Sequence, residues 1–331
     1  MKIAVTGASG HVGVNLCSLL LEKGHQVKAL IHNHPHRLRI TGLEICKGDI
    51  LAPDSLESFT EGADIVIHLA ARISVTGDKD GKVYQTNVDG TRHVLDAAVK
   101  AKVSRFIHFS SIHAFNQHPL TLPLDETRPL AGSGSPSYDQ SKAEGERLVM
   151  RAAENGLHAV ILSPTAIIGP QDPEPSLIGK AVIDLYNKKI PCLVPGGYDW
   201  VDVRDVARAA IEAMTRGHKG EKYLLSGQWA SLKELSALIA KVTGITTIQR
   251  VIPSWVALAG LPVITGYAWL SGGSPLYTKE SLRAIREGNR MISHEKAVRQ
   301  LGFSSRPLEE TIQDLVTWMI QNRMIQNRKT K

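Results

Sequence analysis

Tyr138 and Lys142 stand one helical turn apart in the stretch SYDQSK. At that spacing both side chains project from one helix face. An ammonium beside a phenol stabilises the phenolate and so lowers the tyrosine pKa. A phenol that ordinarily titrates near about 10 then becomes a proton donor or acceptor close to neutral pH. A third group stands upstream, where the run RFIHFSS ends in Ser110 and Ser111. YxxxK alone recurs by chance in many helices. Its weight here comes from Ser, Tyr and Lys following, in that order, a glycine-rich turn near the start of the chain.

That turn is TGASGHVG, residues 6–13, with Gly7, Gly10 and Gly13 three apart. Residues without a Cβ let backbone N–H groups approach a pyrophosphate at a helix N-terminus. Ser9, His11 and Val12, between the glycines, are carried with them as cofactor-contacting positions. After the second strand the chain reads IHNHPHRLR, with His32, Asn33 and Arg37 and no Asp or Glu. An acidic residue there would accept from a ribose 2′-hydroxyl, whereas cations and donors suit a 2′-phosphate, so NADP(H) is favoured over NAD(H). The histidines of this loop also raise a metal site, but no carboxylate or cysteine stands beside them, and no metal is expected. In GDI, Asp49 is placed to reach the adenine amino group and Ile50 to pack on the ring. In HLAA, Leu69, Ala70 and Ala71 let a cofactor lie against the backbone.

The elements that must position these groups alternate along the chain. KIAV, QVKALIH, ADIVIHLAA, RFIHFSS and HAVILSP read as buried strands. VNLCSLLLEKGH, NVDGTRHVLDAAVKA and SYDQSKAEGERLVMRAAENG read as helices, the first following Gly13 and closed by Gly24. Strands alternating with helices imply an α/β fold, a doubly wound Rossmann-type parallel sheet, with a smaller, mostly helical substrate lobe. The Rossmann part is read as 1–165 and about 200–226, interleaved with a lobe at about 166–199 and 227–331. Apolar residues make up 43% and charged residues 21%, which excludes a disordered chain. The net charge of +7 comes from scattered Lys and Arg, which reads as a basic solvated surface with some preference for anionic ligands. Three cysteines far apart suggest neither a disulfide framework nor a metal site, and fit a reducing compartment. No signal peptide precedes the glycines. Residues 251–278 carry no charge but are broken by Pro253, Pro262 and glycines, so they read as a pocket-covering or core helix, with peripheral membrane contact as the alternative.

TGASGHVG, GDI, HLAA, NVDGTRHVLDAA, FSS, YDQSK, SPTAIIGP and WVDVRDVA occur in family order over residues 3 to about 215. On them the chain resembles an extended short-chain dehydrogenase/reductase of the NAD(P)-dependent epimerase/dehydratase superfamily, closest to dihydroflavonol-4-reductase-like and 3β-hydroxysteroid-dehydrogenase-like members. The resemblance implies Tyr138 as general acid in carbonyl reduction and base in the reverse direction. It implies Lys142 on the nicotinamide ribose and Ser111 on the substrate oxygen, with Pro164 and Ile167 against the nicotinamide. Asn87 matches an asparagine with either a structural or a proton-relay role, and His113 and Asn116 fall at substrate-contacting positions. Many sugar-nucleotide members carry arginine and asparagine around P-x-x-x-x-GP. This chain has Ser163, Thr165, Ala166 and Ile167 there, which suits an apolar substrate.

The resemblance thus implies a cytoplasmic NADP(H)-dependent oxidoreductase that reduces a ketone or aldehyde, or oxidises a secondary alcohol, of a small, largely apolar molecule. The alternatives are a nucleotide-sugar epimerase or dehydratase with tightly held NAD(P), and a non-catalytic NADP-binding sensor or assembly factor. A homodimer is compatible with the family, and no nucleic-acid partner is expected.

Overall fold

The structure, a computed structural model, describes residues 1–32, 40–261 and 278–326. Strands β1 (Lys2–Thr6), β2 (Gln26–Ile31), β3 (Glu44–Lys47), β4 (Ile65–His68), β5 (Arg105–Phe109) and β6 (Ala159–Pro164) are joined by β9 (Lys222–Leu225) in one seven-stranded sheet. Its order is β3-β2-β1-β4-β5-β6-β9 and every pair is parallel. Strands β7 (Ala166–Ile168), β8 (Gly197–Asp202) and β10 (Gln228–Ser231) form a second, mixed sheet. The central strands read as nearly unbroken apolar runs because helices bury both of their faces.

Helices α1 (His11–Glu22) and α7 (Val203–Arg216) cover one face of the large sheet, packing Leu16, Leu20, Val206 and Ala210 against it. On the other face α2 (Asp54–Thr60), α4 (Gly90–Lys100) and α5 (Ser137–Glu154) bury Leu56, Phe59, Val94 and Val149. A short α3 (Lys82–Tyr84) runs through a π turn at Gln85–Asp89 into α4. The small sheet packs with α6 (Leu177–Tyr186), α8 (Leu232–Thr243) and, after α9 (Lys279–Glu287) and α10 (Glu295–Leu301), with α11 (Leu308–Gln321), through Val182, Ile239 and Ile312. Ala297, Leu301 and Phe303 join the core of the large sheet, so the chain beyond residue 227 contributes to both sheets. Of the uncharged segment 251–278, residues 262–277 lie outside the described residues. Among the described residues no helix is long and apolar enough to cross a membrane.

The strand order steps outward from β1 to β3, then returns past β1 to β4. Such a switch opens a crevice at the carboxyl ends of the two strands, where doubly wound sheets bind ligands. Here those ends are Thr6 and His68, paired in register. The glycine turn leaves β1 at this point. Helix α1 opens at His11, three residues earlier than the sequence suggested, so Gly13 lies inside its first turn. The reason is steric. A Cβ on Gly13 would stand 2.2 Å from the Gly7 carbonyl oxygen, and one on Gly7 would stand 2.7 Å from the Ala70 nitrogen, with φ there at +69°. A Cβ on Gly10 would meet only the Gly7 oxygen, at 3.4 Å.

Gly13→Ala is therefore expected to destabilise the fold by about 1–3 kcal/mol. Gly10→Ala should stay within about 0.5 kcal/mol of the parent. Denaturant midpoints measure both, and equal midpoints for the two variants would contradict the packing described.

Candidate active site

The glycine turn is built to receive an anion. Gly10, the N-cap of α1, makes no side-chain capping bond, and the first turn holds no acidic residue. Gly10 N–H donates to the Gly7 carbonyl and Val14 N–H to the Gly10 carbonyl. The N–H groups of His11, Val12 and Gly13 are the donors that a helix start leaves without intrahelical acceptors. Ser9 and Gly10 are exposed, and nothing crowds the Gly10 position. This donor set fits a pyrophosphate. The His11 ring turns away from it, since Nε2 donates to the Gly169 and Pro170 carbonyls, each at 3.1 Å. Its side chain ties the 169–170 loop to α1 and leaves only its N–H to a ligand.

A run of buried hydrogen bonds leads from this turn to α5. Ala70 N–H donates to Thr6 Oγ1 at 3.2 Å, and Thr6 Oγ1 meets His68 Nδ1 at 2.7 Å. His68 Nε2 meets Thr91 Oγ1 at 3.0 Å, and Thr91 donates to the Asn87 carbonyl. Thr91 has a single hydroxyl proton, so His68 carries its own proton on Nε2 and accepts from Thr6 at Nδ1. Asn87 Nδ2 then donates to Ser141 Oγ at 2.9 Å, and Ser141 donates to the Tyr138 carbonyl at 2.7 Å. Asn87 also clamps Arg72, accepting its N–H at 2.7 Å and donating to its carbonyl at 3.0 Å. With its amide fully engaged inside the π turn, Asn87 holds the loop after β4 against α5. Burial lowers His68 to about 3, and it holds the neighbouring His108 well below the ordinary histidine range. The two rings lie 5.5 Å apart, and neither nitrogen of His108 has a hydrogen-bond partner among the described residues.

The structure brings Ser111, Tyr138 and Lys142 together. Ser111 caps the short 3₁₀ turn Ile112–Ala114 after β5 and accepts from His113 N–H at 3.2 Å. Its hydroxyl also acts on the Tyr138 phenol in the direction that favours the phenolate. The His113 ring stands edge-on to Tyr138 with centroids 5.9 Å apart, and its Nδ1 lies 3.4 Å from Asp139. The expected lowering of the tyrosine pKa is not found. Burial pushes the phenol up to about 12, against the smaller pull of Ser111, and Asp139 adds to the rise. Lys142 does not offset this, because its Nζ donates to the Phe109 carbonyl at 2.7 Å. Burial lowers Lys142 itself to about 8, opposed by the Glu146 carboxylate.

The structure places the other sequence-predicted residues as follows. Ile50 is buried in the core, and a Cβ on Gly90 would come within 2.5 Å of it, so it packs closely against α4. The Asp49 carboxylate accepts from Leu51 N–H at 2.9 Å and lies 3.2 Å from His32 Nε2. Asn116 is exposed and accepts from His118 N–H within its own loop, apart from the contacts that join Ser111, His113 and Tyr138. Leu69 and Ala70 are half-buried against the glycine turn, with Ala71 exposed beyond them. Pro164 is buried at the end of β6 and Ile167 half-buried in β7. Asn33 and Arg37 lie outside the described residues. Sequence reading passed over His68, His108 and Glu146. The signal was present: Glu146 continues the Tyr138, Lys142 spacing by another four residues, and both histidines interrupt apolar strands.

Comparisons with known proteins give the family of the chain and its similar relatives. The model of the NAD dependent epimerase/dehydratase family matches residues 3–226. The chain is 30% identical to "Sterol demethylase protein B" of Methylococcus capsulatus over 331 residues, covering 98% of this chain and 100% of that protein. It is 30% identical to a "Putative dihydroflavonol 4-reductase" of Synechocystis sp., covering 95% and 93%. The crystal structure of gox2253 superposes with a TM-score of 0.83 at 30% identity, covering 97% of this chain and 98% of that one.

The buried histidines make stability depend on pH. Both are neutral when folded but take protons near pH 6.5 when unfolded. Their contribution is present above about pH 6.5 and is lost as pH falls, down toward about 3 for His68. Each adds a slope of up to about 1.4 kcal/mol per pH unit. Urea unfolding at several pH values between 7.5 and 5 should show stability falling on the acid side. A flat profile would contradict neutral burial.

Proposed function

The chain belongs to the NAD dependent epimerase/dehydratase family, and on that premise we propose that it is an NADP(H)-dependent reductase of an apolar ketone or aldehyde. The observation that carries this reading is the Ser111–Tyr138 hydroxyl pair at the carboxyl edge of the sheet, with Lys142 one turn along the same helix. The N–H groups of His11, Val12 and Gly13 hold the pyrophosphate, and Leu69, Ala70 and Ala71 border the crevice. Pro164 and Ile167 would border the nicotinamide, and Lys142 would meet its ribose. The bound cofactor supplies a hydride from the nicotinamide C4. Ser111 orients the substrate carbonyl oxygen, and Tyr138 delivers a proton to it as the alcohol forms. A phenol raised to about 12 stays protonated across the neutral range, which suits a donor.

The substrate class rests on the wall around β6 and β7. Thr165, its polar member, spends its hydroxyl on Asp199 at 2.7 Å, leaving the half-buried Ala166 and Ile167 beside the buried Pro164 as an apolar wall. The sterol and dihydroflavonol in the relatives' names support a polycyclic apolar carbonyl over a sugar nucleotide. NADP(H) over NAD(H) rests on the basic loop at 32–39, which has no acidic residue.

Incubation with NADPH and a panel of polycyclic and aliphatic carbonyls should consume cofactor in step with alcohol formed. Tyr138→Phe is expected to lower turnover by about 10²–10⁴-fold while leaving the NADPH dissociation constant nearly unchanged. Undiminished activity in that variant, or redox-neutral conversion of a UDP- or GDP-sugar by the parent, would overturn the reading. Fluorescence titration should give tighter binding of NADPH than of NADH, and the reverse order would contradict the cofactor assignment.

A further inference from the structure

One turn beyond Lys142 on α5 stands Glu146, a carboxylate with no solvent exposure. Its Oε1 accepts from Ser163 at 3.2 Å, and its Oε2 lies 3.6 Å from Lys222 Nζ. Lys222 opens strand β9, and its ammonium stands 4.9 Å over the Phe115 ring. Its side chain is 19% exposed, and it lines an open cleft with Asp125, Glu126, Glu221, Lys296 and Arg299. Lys222 therefore touches both the buried carboxylate and the surface. A lone buried carboxylate costs several kcal/mol, so Glu146 needs a cation.

The groups acting on Lys142 and Glu146 come from every neighbouring element. From β4 and β5, His68 and His108 sense the Lys142 charge and are neutral. Burial pushes the Glu146 carboxyl up; Lys222 from β9 opposes this most strongly, and Ser163 of β6 adds to its pull. Tyr138, on the same helix, is protonated at neutral pH. Glu146 is thus the anion that opposes the desolvation of Lys142.

We propose that Glu146, held anionic by Lys222, is a positioning residue that keeps Lys142 in its ammonium form one turn along the helix from Tyr138, and that Lys222 couples this buried pair to the cleft beside β9. The inference rests on the reductase reading of Tyr138 and Lys142. Its consequence is a pH dependence. With Glu146 charged, the Lys142 ammonium persists through neutral pH; without that charge, Lys142 sits beside neutral histidines and deprotonates at lower pH.

The test measures kcat against pH for NADPH-dependent reduction of a carbonyl that the parent accepts, in parallel with a ¹³C titration of Lys142, its signal identified by loss in Lys142→Met. Glu146→Gln keeps the shape and the Ser163 bond but removes the charge. Both the alkaline midpoint of kcat and the Lys142 titration should move toward acid by about one pH unit or more. Lys222→Met, at a partly exposed site, should move them the same way and serves if Glu146→Gln does not accumulate folded. Lys222→Arg should restore both midpoints. Variants that lower kcat equally at every pH with both midpoints unmoved would overturn the proposal. If no carbonyl is reduced, the reductase reading fails, and an unmoved Lys142 titration would separately overturn the charge coupling.

Discussion

A line of buried hydrogen bonds joins the glycine turn to the helix that carries Tyr138. It runs from Ala70 N–H through Thr6, His68, Thr91 and Asn87 to Ser141 and the Tyr138 carbonyl. Every member lies between β1, β4 and the helices on one face, where an unpaired polar group would cost about 1–3 kcal/mol. The line therefore tolerates few alternative arrangements. It fixes the distance between the donors at the start of α1 and the side chains on the first turns of α5. The steric fit of Gly7 against Leu69 and Ala70 sets its other end. Two halves of the site, more than a hundred residues apart in sequence, are held in one register by backbone, hydroxyl, imidazole and amide groups.

The same dryness sets the charges. Burial raises the Tyr138 phenol, lowers the Lys142 ammonium and keeps His68 and His108 neutral. A donor that remains protonated and a cation poised to lose its charge lie on one helix face. The surroundings of Lys142 then matter as much as the lysine itself, and Glu146 is the group that faces it with opposite sign.

Periodicity was enough to read the seven strands of the large sheet only in part: KIAV, QVKALIH, ADIVIHLAA, RFIHFSS and HAVILSP stand where strands form, while the short β3 is largely exposed and carries a weak pattern. The grouping of Ser111, Tyr138 and Lys142 was legible because Tyr and Lys share a helix turn and Ser ends a strand. What local pattern could not show was which way each side chain turns once packed. Ile50 sinks into the core because Gly90 leaves it room, and Asn116 turns back on its own loop. The direction of the Tyr138 shift was misread for a related reason. Spacing places Lys142 on the right face, but only the folded chain shows its Nζ held by the Phe109 carbonyl. Glu146 and the histidine pair owe their meaning to partners on distant strands.

Hydride transfer is the central claim, and following the hydrogen itself tests it most directly. The protein would be supplied with NADPH deuterated at the transferable C4 position and a polycyclic or aliphatic ketone, and the alcohol analysed by mass spectrometry. The account predicts one deuterium on the new carbinol carbon for each NADP⁺ formed. Alcohol without deuterium, or a product isomerised with the cofactor returned unchanged, would contradict it.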